Sequence, residues 1–417
     1  MSDLVDIVVV GAGAAGLTAA IEAARDAPGR RIVAVDGARK LGAKILVSGG
    51  GRCNVTNEVV SPADFAGGSR NSIRKVLGRF TVADTIAFFE ELGVELKREE
   101  GGKLFPTSDS ARTIFDALLA AARTAGVAIR SPFRVDRIER TNGAFRLHTA
   151  DEKIDAARVV LSTGGKSLPR TGSDGGGYAL ARALGHTTTQ EIFPALVPLR
   201  LADGHRLTQL SGLSAPARLT VAGSTGKRLA SVEGSLLCTH FGLSGPAALD
   251  VSRHFIEANS HDADAALFCD WLPDETFEEC EAALMDDGPQ TPYGRLRRKL
   301  PERLAAAIFE EAGVRLETPA AELRRESRRA LVQTAKQWRL EVSGNRGWNF
   351  AEVTAGGIPL DEIDPRTMAS RKTDGLYLCG EICDVDGRIG GFNFQWAWAS
   401  GAVAGRAAAV SLDASRN

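Results

Sequence analysis

Long apolar runs are missing from this chain. No segment reaches the ~18 consecutive apolar residues of a membrane span, and no basic cluster precedes the first apolar stretch in "MSDLVDIVVVG", so no export signal is read there. The expectation is a cytoplasmic protein with no membrane partner. Cysteine is scarce, six in 417 residues, and shows neither a disulfide framework nor the matched CxxC pairs of a zinc site. No metal is expected. An excess of one charge is absent as well: 51 Lys and Arg against 52 Asp and Glu leave a net charge of -1. That balance makes nucleic acid an unlikely main partner.

What is abundant is glycine, 45 residues gathered in short loops, against a usual share of roughly 7%. The length, about three times that of a typical domain, leads to an expectation of two or three domains. Near the start, "DIVVVGAGAAGLTAAIEAARDAPGRRIVAVDG" reads as strand, tight turn, helix and strand. Gly11, Gly13 and Gly16 form GxGxxG: the first permits the turn, the second lets the backbone approach a pyrophosphate, and the third lets helix and strand pack closely. The helix that opens there aims its positive end at the phosphates. Asp36 closes the second strand, twenty residues after Gly16, where a carboxylate takes the ribose hydroxyls and argues against a 2'-phosphate.

The loop that follows, "KILVSGGGRCNVTN", is richer than NAD binding requires and is long enough to reach from a pyrophosphate toward a flavin ring. Its Cys53 has no partner cysteine at redox spacing in this half of the chain and is read as a packing residue. Asn54 and Asn57 are read as holding the loop by bonds to the backbone. Further on, "TIFDALLAAARTAGV" reads as an amphipathic helix, and an "NG" turn at 142 to 143 reads as the tip of a hairpin. "ARVVLSTGG" then returns as a buried strand. In "TGSDGGGYALARALG" Asp174 is placed at a helix N-cap, and the segment is read as packing near the cofactor rather than as a second nucleotide site. Toward the end come a strand in "GLYLCGE", a glycine-rich loop and a helix from about Phe394; Gly390, Gly391 and Asn393 make a donor-rich helix start that suits the electron-rich edge of a reduced flavin.

The motifs "GAGAAGLTAA", "KILVSGGGRCNVTN", "TGSDGGGYALARALGH", "LLCTHFGLSGPAALDVSR" and "GLYLCGEICDVDGRIGGFNFQWAWASGAVAG" together resemble the HI0933-like (BaiN-like) flavoproteins of the FAD/NAD(P)-binding superfamily. The resemblance implies an α/β fold: a discontinuous FAD-binding Rossmann-like domain of the glutathione reductase type, residues 1–190 and 350–417. An inserted β-barrel-like domain, 191–274, and a helical subdomain, 275–349, complete it. FAD is the implied cofactor, with NAD(P)H as a candidate external electron donor. The nominated cofactor residues are Gly11, Gly13, Ala14, Ala15, Gly16, Asp36, Gly37, Lys44, Ser48, Gly49, Gly50, Gly51, Arg52 and Asn54 in the first part. Val135, beside the adenine, and Thr163, Gly164 and Gly165 follow. The last group is Gly380, Glu381, by the ribityl chain, Asp386, Gly390, Gly391, Phe392 and Asn393.

Two side chains are candidates for chemistry. His240, in "CTHFGLSGPA", reads either as a proton donor or base, or as a histidine that fixes a turn. Arg52 reads as a cation over the flavin or on an anionic substrate group, or as a contact to phosphate or loop carbonyls. Cys379 and Cys383 stand in an apolar setting better suited to buried thiols than to a redox pair. The basic helices between Arg295 and Arg339 carry interleaved Glu and read as a solvated face. The functional expectation is an FAD-dependent oxidoreductase acting on a small organic substrate. An amine oxidase producing peroxide, a flavin-binding regulatory or RNA-associated protein, and a nicotinamide-only dehydrogenase are the competing readings. Oligomeric state is left open.

Overall fold

The first apolar run becomes strand β1 (Val5–Val10), with Ile7, Val8 and Val9 fully buried. Burial on both faces is what a central parallel strand requires. On one side it pairs in parallel with β2 (Ile32–Val35), which in turn pairs with β3 (Ala128–Arg130). On the other it pairs in parallel with β4 (Lys153–Leu161), and β4 with β5 (Leu376–Leu378). The register sets Val10 opposite both Val35 and Leu161, and Leu161 opposite Leu378. The carboxyl ends of four strands therefore finish in one row, the place where open α/β sheets bind ligands. Strand β4 also pairs with Ala144–His148, which forms a hairpin with Arg137–Thr141. Of the expected turn residues at its tip, Asn142 lies outside the described residues and Gly143 has the left-handed φ of 80°.

This computed structural model describes residues 4–141, 143–285 and 290–414. By contacts the chain divides into two units, Met1–Pro194 with Glu352–Asn417, and Ala195–Ala351. In the first unit, helix α1 (Ala14–Asp26) packs along helix α2 (Phe392–Ala414). A Cβ on Gly401 would lie 2.4 Å from the Ala15 carbonyl oxygen, and one on Gly405 2.1 Å from that of Ala19. Only glycine permits this approach. Helix α2 begins at Phe392, two residues before the expected start, because the preceding Gly390 and Gly391 hold positive φ and end the loop there.

The second unit is built on a seven-stranded sheet in which every pairing is antiparallel. Ala215, Ala217, Leu219 and Val221 alternate inward along one of its long strands, the period-two pattern of a half-buried strand. The edge strands Trp338–Leu340 and Val342–Asn345 stand at opposite ends of the sheet order, yet only Glu341 separates them in the chain. Consecutive Cα atoms are ~3.8 Å apart, so the sheet must curl until its edges almost meet, a barrel-like form. Helices Phe277–Met285, Pro292–Lys299, Glu302–Glu311 and Arg325–Gln337 share one core with the sheet, including Trp271, Leu304, Ile308, Phe309 and Trp338. The segment 275–349 is thus helical only in part, since its last two strands return to the sheet. Among the described residues no helix is long and apolar enough to cross a membrane.

Candidate cofactor and active site

The row of strand ends is lined by the fingerprint. Gly11 follows β1 with a φ of 103°, and a Cβ there would lie 2.4 Å from the Ser162 carbonyl oxygen. A Cβ on Gly16 would lie 1.8 Å from the Gly11 carbonyl oxygen. Gly13 differs: among the described residues nothing stands within 4 Å of its Cβ position. Gly11 and Gly16 are therefore glycines for packing, whereas the bare face of Gly13 leaves room for a ligand. It stands at the N-cap of α1, just ahead of Ala14 and Ala15 and the unpaired N–H groups of the first turn. Asp36 accepts one backbone N–H per carboxylate oxygen, from Ala12 at 2.8 Å and from Ala38 at 2.8 Å. Each oxygen keeps a further lone pair for a hydroxyl. Gly37 packs against Arg134, next to the buried Val135.

The loop of residues 48 to 57 folds as a short turn, Ser48–Gly51, in which Gly49, Gly50 and Gly51 all have positive φ. Ser48 closes it by donating to the Ile45 carbonyl at 2.7 Å and by accepting the Cys53 N–H at 3.1 Å. The Gly50 Cβ position is as open as that of Gly13. Arg52 turns elsewhere: it donates to both carboxylate oxygens of Glu99, at 2.8 and 3.1 Å, and lies 4.1 Å from the centre of the Phe105 ring. Its side chain is spent on fixing this loop to the segment around residues 97–109. Cys53 is fully buried, and burial pushes its thiol up to about 12. Cys379 and Cys383 are likewise buried and held above the ordinary thiol range by burial. Asn57 holds the loop as expected, donating to the Gly101 and Gly390 carbonyls. Asn54 does not: its Oδ1 is buried and has no partner among the described residues.

A polar cluster joins the two stretches of the first unit. The Lys44 ammonium pairs with Glu381 and donates to Ser167 Oγ at 2.6 Å. Glu381 also accepts from Ser167 Oγ at 2.8 Å and from the Thr354 N–H at 2.9 Å. Thr354 Oγ1 accepts the N–H groups of Lys166 and Ser167, which fixes the turn after Thr163, Gly164 and Gly165. Ser167 and Thr354 were not foreseen, and their only sequence signal is their proximity to "TGG" and to "AGG". The helix Gly176–Ala183 takes Gly175 as its N-cap rather than Asp174, because Asp174 is drawn outward to Arg134 at 2.7 Å and caps the Gly176 N–H from there.

At the far end, Gly380 has a φ of 76°, its N–H bonds Ser400 Oγ, and its carbonyl accepts from Trp396. Asp386 is buried in the strand Val385–Gly387. Asn393 is closed in a reciprocal pair with the Gly387 backbone, 2.8 Å each way, and the Phe392 side chain is buried core. A Cβ on Gly391 would lie 2.5 Å from the Thr56 backbone. What this segment offers a ligand is main-chain N–H, since the first intrahelical bond runs from Gln395 to Gly391 and leaves the amides between them free of it. The group that fits such residues is a dinucleotide: two open glycine faces, a ribose carboxylate, and a helix start. Thr163 Oγ1, Ser173 Oγ and Tyr178 OH are buried hydroxyls without a partner among the described residues. No group of three or more His, Cys, Asp or Glu able to hold a metal occurs among the described residues.

His240 belongs to the second unit. It is exposed at the turn between Arg228–Thr239 and Gly242–Ser244, edge-on to the Phe241 ring at 5.1 Å.

Residues 5–407 match the HI0933-like protein Rossmann domain. The chain is 35% identical over 406 residues to the 3-dehydro-bile acid delta(4,6)-reductase of Clostridium scindens, covering 96% of this chain and 98% of that protein. It is 33% identical over 406 residues to the ribosomal RNA dihydrouridine synthase of Escherichia coli, covering 95% and 96%. Among solved structures, E. coli quinol fumarate reductase FrdA superposes with a TM-score of 0.54 at 17% identity, over 100% of this chain and 72% of that one. The 3-ketosteroid delta1-dehydrogenase of Sterolibacterium denitrificans gives 0.53 at 13%, over 98% and 100%; both are likenesses of fold. With sequence and fold in agreement over nearly its whole length, the chain belongs to the HI0933-like family and is an FAD-dependent oxidoreductase of the Rossmann type.

Proposed function

We propose that the protein reduces a carbon–carbon double bond conjugated to a carbonyl in a small organic substrate, with NAD(P)H as electron donor. The observation that carries the cofactor half of this reading is the contrast between Gly13, whose Cβ position is open, and Gly11 and Gly16, whose Cβ positions are filled by backbone. Bound FAD supplies two-electron hydride chemistry. In this reading Asp36 holds the ribose, the α1 start and Gly49 to Gly51 take the pyrophosphate, and Lys44 and Glu381 orient the chain between phosphate and ring. The N–H groups after Gly391 offer positive potential to negative charge on the ring. Arg52 keeps the loop in place from its seat on Glu99. His240 remains the nominee for proton donor, and His240→Gln is expected to lower kcat while leaving FAD content unchanged.

The substrate half rests on the two relatives. A 3-oxo bile acid with conjugated double bonds and a uracil ring both present a C=C next to a carbonyl, and each relative is named for adding hydrogen to such a system. The small acid is favoured over RNA because the net charge is -1 and the exposed Arg297 and the less exposed Arg328 are paired with Glu302 and Glu281. The test is anaerobic titration of the yellow protein with NADH and with NADPH, followed by reoxidation with a conjugated enone. Flavin that is reduced and then reoxidised by the enone supports the proposal. Peroxide formation on addition of an amine, with no reduction by either nicotinamide, would establish the oxidase instead; turnover confined to RNA would move the substrate to the nucleic acid.

A further inference from the structure

In the second unit an arginine lies against two rings. The Arg346 guanidinium carbon lies 3.5 Å from the centre of the Phe350 ring and 4.4 Å from that of Phe241. The neighbouring His240 meets Phe241 edge-on. Three elements of the sheet force the arrangement. The strand Leu199–Leu201 lies between Gly242–Ser244 and Val342–Asn345, with Phe241 beyond its Leu201 end and Arg346 beyond its Leu199 end, so the two side chains meet across the short strand. The Arg346 N–H donates to the Pro198 carbonyl at 3.1 Å, and the Phe241 carbonyl accepts from Leu201 at 3.1 Å. Gly347, with a φ of 73°, turns the chain back, and the Phe350 N–H bonds its carbonyl.

Both rings stand within cation–π distance of the guanidinium carbon. Among the described residues no carboxylate, carbonyl or hydroxyl accepts from the Arg346 side chain, in a protein where Arg52, Arg146, Arg218 and Arg366 each reach a carboxylate. Ring contacts hold the guanidinium without satisfying its N–H groups, the state in which arginine recognises a carboxylate through two parallel bonds. Phe350 is 46% exposed beside it and offers an apolar face to the body of the same molecule. We propose that Arg346, held by Phe241 and Phe350, is the carboxylate-recognition residue for a small, largely apolar organic acid. The inference rests on the small-substrate reading above.

The experiment uses the FAD-loaded protein and a matched pair of probes, a conjugated-enone carboxylic acid and its methyl ester, with affinities measured by calorimetry. A charge-assisted, two-bond contact predicts that the acid binds roughly tenfold or more tightly than the ester. In Arg346→Gln that preference is expected to vanish while the ester binds as before; in Arg346→Lys, which keeps the charge but not the fork, it should be partly retained. Circular dichroism and FAD content confirm that each variant is folded. An acid preference that survives intact in Arg346→Gln, or a wild-type protein that does not distinguish acid from ester, would overturn the assignment. Reoxidation of the reduced flavin by the ester separates the two levels of the argument. If the ester turns over and no acid preference exists, the Arg346 assignment is wrong and the reductase reading stands; if neither probe reoxidises the flavin, the reductase reading fails on its own.

Discussion

The Nδ1 of His186 lies 2.9 Å from a carboxylate oxygen of Glu362, with the imidazole side chain fully buried and its Nε2 2.7 Å from Ser370 Oγ. These residues come from opposite sides of the inserted unit, so the contact ties the two stretches of the nucleotide-binding unit together. Burial holds His186 below its ordinary pKa. For Glu362 burial acts upward, but hydrogen bonds from Thr187 and His186 outweigh it and hold the carboxyl below its usual range.

The sign of the pH dependence follows. A group whose pKa is depressed on folding stabilises the native state above its unfolded pKa and loses that contribution as pH falls, because the unfolded chain takes up the proton first. For His186 the loss begins below ~6.5, and for Glu362 below ~4.3. Urea unfolding between pH 8 and 3 should show stability level at the alkaline end and declining in these two windows. His186→Gln should shrink the upper decline, to which burial of His205 and His254 also contributes; a stability profile that is flat from pH 8 to 5 in the wild type would contradict the assignment.

Gly13→Val and Gly16→Val should separate ligand from fold. The first adds a side chain in open space at a non-strained φ, so melting of the FAD-free protein is expected to shift little while FAD is lost. The second drives a Cβ into the Gly11 carbonyl and should destabilise the apoprotein by at least about 1–3 kcal/mol. Paired melts and flavin stoichiometry check both.

Glu381→Gln keeps the shape of its cluster and removes the charge facing Lys44. Losing a charged hydrogen-bonding partner costs about 1.5–3 kcal/mol, so FAD dissociation constants are expected to rise roughly tenfold to a hundredfold. Fluorescence titration of apoprotein with FAD reads this directly.

Cys53→Ser is expected to leave flavin content and reduction rate within about twofold, because burial keeps the thiol protonated near neutral pH and thiolate is the reactive form. Native protein should also leave Cys53 unlabelled by an alkylating reagent. Rapid labelling at pH 8 would show that the loop opens.

Much of the first unit was legible because its signals are local. An apolar run, three glycines and a carboxylate at the end of the next strand specify β1, α1, β2 and the role of Asp36 within some thirty residues. Side-chain commitments were not legible, since they depend on partners far along the chain. Arg52 looks free in "GGGRCN" but meets Glu99, which only the fold brings near; Asn393 looks poised at a helix start but is closed on Gly387. Lys44 and Glu381 were nominated separately, and their pairing through Ser167 crosses the whole insertion. The curl of the second sheet depends on Trp338–Leu340 and Val342–Asn345, strands too short and too close to helices to carry a period of their own.

The close passage of Gly401 and Gly405 over α1 has a consequence for biosynthesis. The fingerprint is made well before the helix that presses on it, which follows the entire inserted unit. The continuous Ala195–Ala351 segment can collapse while translation proceeds; the flanking unit must wait with its apolar strands exposed. The nucleotide-binding unit therefore cannot close before α2 is made, and until then its apolar strands are the part of the chain most in need of protection from aggregation.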